Sequence, residues 1–132
     1  APLAKRAKLA KPDRVRVSHI LLKWAGIKED GFTRPGIAAI VRTQQEAERQ
    51  LLELLEGLLA GDPKTSGARF KNEVLKISEC ASALNVPYAD LGWIEPGAAE
   101  LPLEVAAFDT SVGAFSDIIV TSRGVHLLHR MA

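Results

Sequence analysis

The chain has 132 residues, with 17 Lys and Arg against 16 Asp and Glu, three His and one Cys. That length suits one domain with a real core, and the near-neutral charge argues against a dedicated nucleic-acid binder. The lone Cys80 excludes an internal disulfide and fits a reducing compartment. No apolar run is long enough to span a bilayer, and the basic start lacks the apolar core of a secretory signal.

Residues 1–13 read as a basic flexible tail or linker, with Lys5, Arg6, Lys8 and Lys11 in it. A nuclear-localisation patch is the other reading of Lys5–Lys11. A chain beginning with Ala1 is expected of a fragment or of a processed protein. Residues 14–132 form the expected domain. From Arg14 to Lys23 the pattern alternates, with Val15, Val17, His19 and Leu21 on one face. Both faces turn apolar toward the end, so the strand is expected to be central in its sheet. Gly26, Gly31, Pro35 and Gly36 then break the pattern, and Trp24 to Arg42 reads as a long loop.

Thr43-Gln44-Gln45-Glu46 is a capping box, and Ala47, Leu51, Leu54, Leu55, Leu58 and Leu59 follow at helical spacing. Gly61 and Pro63 are expected to end that helix. A second helix is expected from about Ala68 to Ile77, with a short helical turn reaching Leu84. Asn85 to Tyr88 reads as a turn and Leu91 to Ile94 as a short strand. A helix is expected over Pro102–Phe108. Ile118–Thr121 and Val125–Arg130 read as a hairpin through Ser122-Arg123-Gly124. The order is strand, helices, strand, helix, strand, strand, which is an α+β arrangement with a mainly antiparallel sheet.

Four segments carry a resemblance. Val17-Ser18-His19-Ile20-Leu21-Leu22-Lys23, Ile77-Ser78-Glu79-Cys80-Ala81-Ser82-Ala83, Ala89-Asp90-Leu91-Gly92-Trp93-Ile94-Glu95-Pro96-Gly97 and Ile119-Val120-Thr121-Ser122-Arg123-Gly124-Val125-His126 occur in the order found in parvulin-type peptidyl-prolyl isomerases. The chain resembles that family, in its divergent eukaryotic Pin-type branch, from about Arg14 to Arg130. The resemblance implies a four-stranded, mainly antiparallel sheet flanked by about four helices. It implies cofactor-free catalysis of rotation about Xaa-Pro bonds in proline-containing proteins, phosphorylated ones among them. It also implies a nuclear or cytoplasmic monomer, needing no metal and no membrane, in which Ala1 to Lys11 would link to a separate phosphopeptide-binding module.

Rotation about that bond crosses a barrier of about 18–20 kcal/mol, because twisting breaks amide resonance. A catalyst needs a pocket for the ring and surroundings that favour the twisted amide over the planar one. By resemblance, His19, Thr121 and His126 form an orienting network, and Cys80 borders the substrate carbonyl. Glu79 beside Cys80 opposes thiolate formation, so a modest role in shape and polarity is expected of the cysteine. His129 has the opposite strand parity to His126 and is left outside the network.

Leu91, Ala99, Leu103 and Phe108 fall at positions of the family's proline pocket. Ala99 and Leu103 stand where a Met and a Phe are usual, and Arg123 where a small polar residue is common. Lys23, Lys28 and Arg34 are the candidate anchors for an acidic or phosphorylated flank, diluted by Glu29 and Asp30. The expectation is therefore an isomerase with weakened activity or altered preference. The alternative is a catalytically weak module that binds proline-containing segments. A Cys-His hydrolase lacks an activating motif around Cys80. A metal site on His19, His126 and Cys80 lacks a fourth ligand.

Overall fold

The computed structural model describes residues 12–27, 39–80, 83 and 89–132. Within them the chain runs β1 (Val15–Leu22), α1 (Gln44–Ala60), α2 (Pro63–Ile77), β2 (Asp90–Ile94), α3 (Leu101–Asp109), β3 (Ile119–Thr121) and β4 (Gly124–Arg130). The four strands form one sheet in the order β2-β1-β4-β3, and each neighbouring pair is antiparallel. β1 is internal, as its two apolar faces require. Arg16 and Asp90 form a bidentate ion pair across β1 and β2.

The sheet separates two packed faces. Ile20, Leu22, Val125 and Leu127 meet Leu51, Leu55, Phe70 and Val74 of α1 and α2. Val15, Val17 and Leu128 meet Leu103 and Ala107 of α3. Strand parity decides which histidine goes where. His129 packs with tilted rings against Phe70 and Phe115 on the α1–α2 side. His19 and His126, in register with Leu128 and Leu21, take the α3 side.

The capping box at the start of α1 is present, with Thr43 Oγ1 accepting from Glu46 N and Glu46 Oε1 accepting from Thr43 N, each at 3.1 Å. α2 begins five residues earlier than expected from sequence. Asp62 caps it by accepting from Lys64 N at 2.9 Å, and Pro63 occupies the first turn, where its missing N–H costs nothing. The proline that ends α1 thus also begins α2. The expected turn at Asn85–Tyr88, the helical turn to Leu84 apart from helical Ala83, and most of the loop between Trp24 and Arg42 lie outside the described residues.

β3 and β4 are joined by Ser122 and Arg123 alone. Gly124 follows with φ 149°, and a Cβ there would stand 2.6 Å from Leu22 O. Only glycine allows β4 to approach β1 so closely at that point. This tight link sets the position of Arg123 beside the next site.

Candidate functional site

His19 on β1 and His126 on β4 are fully buried, and their Nδ1 atoms lie 3.1 Å apart. Thr121, the last residue of β3, places Oγ1 2.6 Å from His126 Nε2. The same Oγ1 accepts from Arg123 N at 3.2 Å. One assignment gives the hydroxyl proton an acceptor: Thr121 donates to Nε2, and His126 then donates from Nδ1 to His19 Nδ1. Both ring nitrogens of His126 are engaged in this row.

Burial pushes the His19 pKa down, and the positive charge of Arg123 adds to it. Burial likewise lowers His126, followed by His19 and Arg123, while Glu100 opposes. Both rings are therefore neutral at physiological pH. A ring with both nitrogens occupied does not serve as the general base of a Cys-His hydrolase.

Cys80 is buried just beyond α2. Its segment is tied along the end of β1: Glu79 N donates to Leu21 O at 2.7 Å, and Leu21 N donates to Ser78 Oγ at 3.1 Å. The Glu79 carboxylate accepts from Lys23 N at 2.8 Å and pairs with Arg42, which also donates to Lys23 O at 2.9 Å. Its charge is thus met by Arg42. The cation on Cys80 is Arg123, whose guanidinium reaches Sγ at 3.4 Å. Sequence gave no signal for that contact, because 43 positions separate the two residues.

A cavity of about 330 Å³ opens beside His126, lined by Leu91, Ile94, Ala98, Ala99, Glu100, Leu103, Thr121, Arg123 and His126. That is the small end of the usual range for ligand pockets, roughly 300–1,000 Å³. Leu91, Ala99, Leu103 and Arg123 are brought together there with Thr121 and His126. Ile94, Ala98 and Glu100 were not expected. Leu91 and Ile94 have opposite strand parity yet line the same cavity, because the β1–β2 register shifts between Arg16 and Ser18; alternation counted from Leu91 therefore hid Ile94. Glu100 accepts from Ser122 N and Oγ at 2.9 and 2.8 Å, tying the start of α3 to the β3–β4 link.

Phe108 packs against the same core cluster as Leu103, Leu91 and Ala99 but is not among the residues lining this cavity. It lines a separate cavity of about 460 Å³ with Pro12, Asp13, Pro96, Glu104 and Val105. It is five residues beyond Leu103, and at about 100° per residue that turns it well away from the Leu103 face. Lys23 directly follows β1 and is buried, not presented on the surface as an anchor for a flank would be. Lys28 and Arg34 lie outside the described residues. Among the described residues no group of three or more His, Cys, Asp or Glu could hold a metal ion, and no helix is long and apolar enough to cross a membrane.

A four-stranded antiparallel sheet, a neutral histidine pair and an apolar pocket with a polar edge are features of a proline-rotamase domain. The chain belongs to the PPIC-type PPIase (rotamase) domain family, whose model matches residues 19–132. It is 32% identical over 126 residues to peptidyl-prolyl cis-trans isomerase Pin1 of Arabidopsis thaliana, covering 94% of this chain and all of the relative. It is 33% identical over 120 residues to peptidyl-prolyl cis-trans isomerase NIMA-interacting 1 of Theileria annulata, covering 91% and 81% of the two chains. The solved structure of peptidyl-prolyl isomerase ESS1 from Candida albicans superposes with a TM-score of 0.79 at 32% identity, covering 98% of this chain and 72% of that one. The chain is a peptidyl-prolyl cis-trans isomerase of the parvulin type.

Proposed function

We propose that the cavity beside His126 receives the proline ring of the substrate, and that this isomerase works with reduced activity on neutral flanks and favours an acidic or phosphorylated one. One observation carries this reading. The cavity has apolar walls at Leu91 and Leu103, and its polar edge is formed by the Thr121–His126 hydrogen bond. The ring is desolvated by the walls. His19, Thr121 and His126 hold the floor rigid and neutral, and no bond is cleaved. Cys80 borders the substrate carbonyl as a polarisable, weakly polar surface.

Ala99 and Leu103 are small walls. They leave less surface against the ring than the Met and Phe usual there, and even about 1.4 kcal/mol of lost contact is tenfold in binding. With Lys23 buried, Lys28 and Arg34 are the anchors proposed for an anionic flank. Residues 1–13 act as a basic linker ahead of the domain at 14–132, which works in the nucleus or cytoplasm.

The test is NMR exchange spectroscopy on peptides with Ala, Lys, Glu or phosphoserine before proline. Faster exchange with the acidic and phosphorylated peptides is expected, along with a high KM on Ala-Pro. Equal turnover across the panel would remove the preference. Resonance shifts without any acceleration would make the protein a proline-binding module.

A further inference from the structure

Arg123 occupies half of the two-residue link between β3 and β4 and lines the cavity beside His126. The link is held on both sides. Arg123 N donates to Thr121 Oγ1 at 3.2 Å, and Glu100 grips the adjacent Ser122 through N and Oγ. From this fixed base the guanidinium reaches Cys80 Sγ at 3.4 Å. Sulfur is a weak acceptor, and replacing that contact by a nitrogen acceptor strengthens the hydrogen bond the guanidinium makes.

An Xaa-Pro amide offers such an acceptor only part of the way through its rotation. In the planar form the nitrogen lone pair is delocalised into the carbonyl. Twisting returns the lone pair to nitrogen, which then accepts a hydrogen bond. Because the nitrogen is a ring atom, a ring seated between Leu91 and Leu103 brings it to the edge that Arg123 lines. We infer that Arg123 is a catalytic residue of this isomerase, its guanidinium donating to the prolyl nitrogen as the amide twists. The inference rests on the reading of the cavity as the proline site.

A donor that engages only the twisted state lowers the barrier without tightening ground-state binding. A donor on the carbonyl oxygen would do the reverse, because that oxygen carries more charge in the planar form. Removing Arg123 therefore has a sign that separates the two geometries. With Ala99 and Leu103 offering little surface, catalysis leans on the directed donor.

The experiment measures kcat and KM by NMR exchange on Ala-Pro and Glu-Pro peptides with the unsubstituted protein and Arg123→Ala. The imidazole resonances of His126 and a urea unfolding curve report the fold. A fall in kcat of roughly 10- to 100-fold is expected, at or below the range for removing one preorganised donor. The fall should be alike on both peptides, with KM nearly unchanged and partial recovery on adding guanidinium at non-denaturing concentration. Unchanged or increased kcat overturns the inference, and so does a loss confined to Glu-Pro, which would make Arg123 a flank anchor. If Arg123→Ala does not fold, Arg123→Met keeps the stem and is read by the same outcomes. Absence of acceleration by the unsubstituted protein on every peptide would instead overturn the proline-site reading itself.

Discussion

His19 and His126 are separated by 107 positions, yet their Nδ1 atoms approach to 3.1 Å within a sheet that buries both rings. Burial holds the two imidazoles neutral in the folded protein. In the unfolded chain they take up protons near pH 6.5. The unfolded state therefore binds more protons below that pH, and stability falls as pH drops from about 6.5 toward the lowered folded pKa values. His129, also lowered by burial, adds in the same direction. Asp90, Glu46 and Glu100 are held below the usual carboxylate range by hydrogen bonds from Arg16, Thr43 and Ser122. Their contribution is present above their unfolded pKa values and is lost only in more acid solution. Urea unfolding at pH 7 and pH 5 should differ by about 3–4 kcal/mol from the buried pair. An unchanged midpoint would show that the rings protonate in place.

Thr121→Val keeps the shape of the side chain and removes the hydroxyl. It leaves His126 Nε2 buried without its partner and takes an acceptor from Arg123 N. A loss of about 1–3 kcal/mol in unfolding free energy is expected. The isomerisation rate should fall as well, because His126 is freed to turn. Full retention of both would mean that the hydroxyl does not orient the ring.

Arg42 and Glu79 form an ion pair at the neck of the loop after β1, with the carboxylate buried. Arg42→Met strands that carboxylate, and one Glu79 oxygen already has no hydrogen-bond partner among the described residues. The expected cost is about 3–5 kcal/mol. Adding Glu79→Gln removes the charge while keeping an acceptor for Lys23 N, and should recover more than half. Chemical denaturation of the single and double variants checks this. A double variant no more stable than Arg42→Met would refute the stranded-charge explanation.

Gly124→Ala and Gly57→Ala should move stability in opposite directions. At Gly124 the added Cβ meets Leu22 O at 2.6 Å and Leu21 Cδ1 at 2.7 Å, so a loss of about 2–4 kcal/mol is expected. At Gly57, within α1, nothing lies within 4 Å, and a gain of about 0.5–1 kcal/mol is expected from helix propensity. Thermal unfolding of both variants decides. A harmless Gly124→Ala would mean that β4 can move away from β1.

Ala99→Met with Leu103→Phe enlarges the two small walls of the cavity. About 50 Å² of added apolar contact with a proline ring is worth about 1.3 kcal/mol, or a tenfold lower KM. Ala-Pro peptides should show it most clearly. A higher KM in the double variant would mean that the cavity has no room beyond the ring.

Much of this molecule is legible in its sequence where one local rule dominates. The capping box at Thr43 and Glu46 fixes the start of α1, because both hydrogen bonds lie within four residues. Two-fold alternation separates His129 from His19 and His126 by face. Elsewhere two rules compete. Pro63 reads as a terminator of α1, yet Asp62-Pro63 is also a capped first turn. Phe108 packs in one cluster with Leu91, Ala99 and Leu103, yet five residues of helix beyond Leu103 it lines a second cavity and not the one beside His126. The contacts of Arg123 with Cys80 and of Arg42 with Glu79 depend on how distant segments pack, and no short pattern encodes them. Lys28 and Arg34 lie in the part of the loop outside the described residues.

The most direct single measurement is NMR exchange on an Ala-Pro and a phosphoserine-Pro peptide, with the unsubstituted protein and with His126→Ala shown to be folded. The expected result is accelerated cis–trans exchange, faster on the phosphorylated peptide and largely lost in the variant. Acceleration that survives intact in folded His126→Ala would contradict a site centred on the histidine pair.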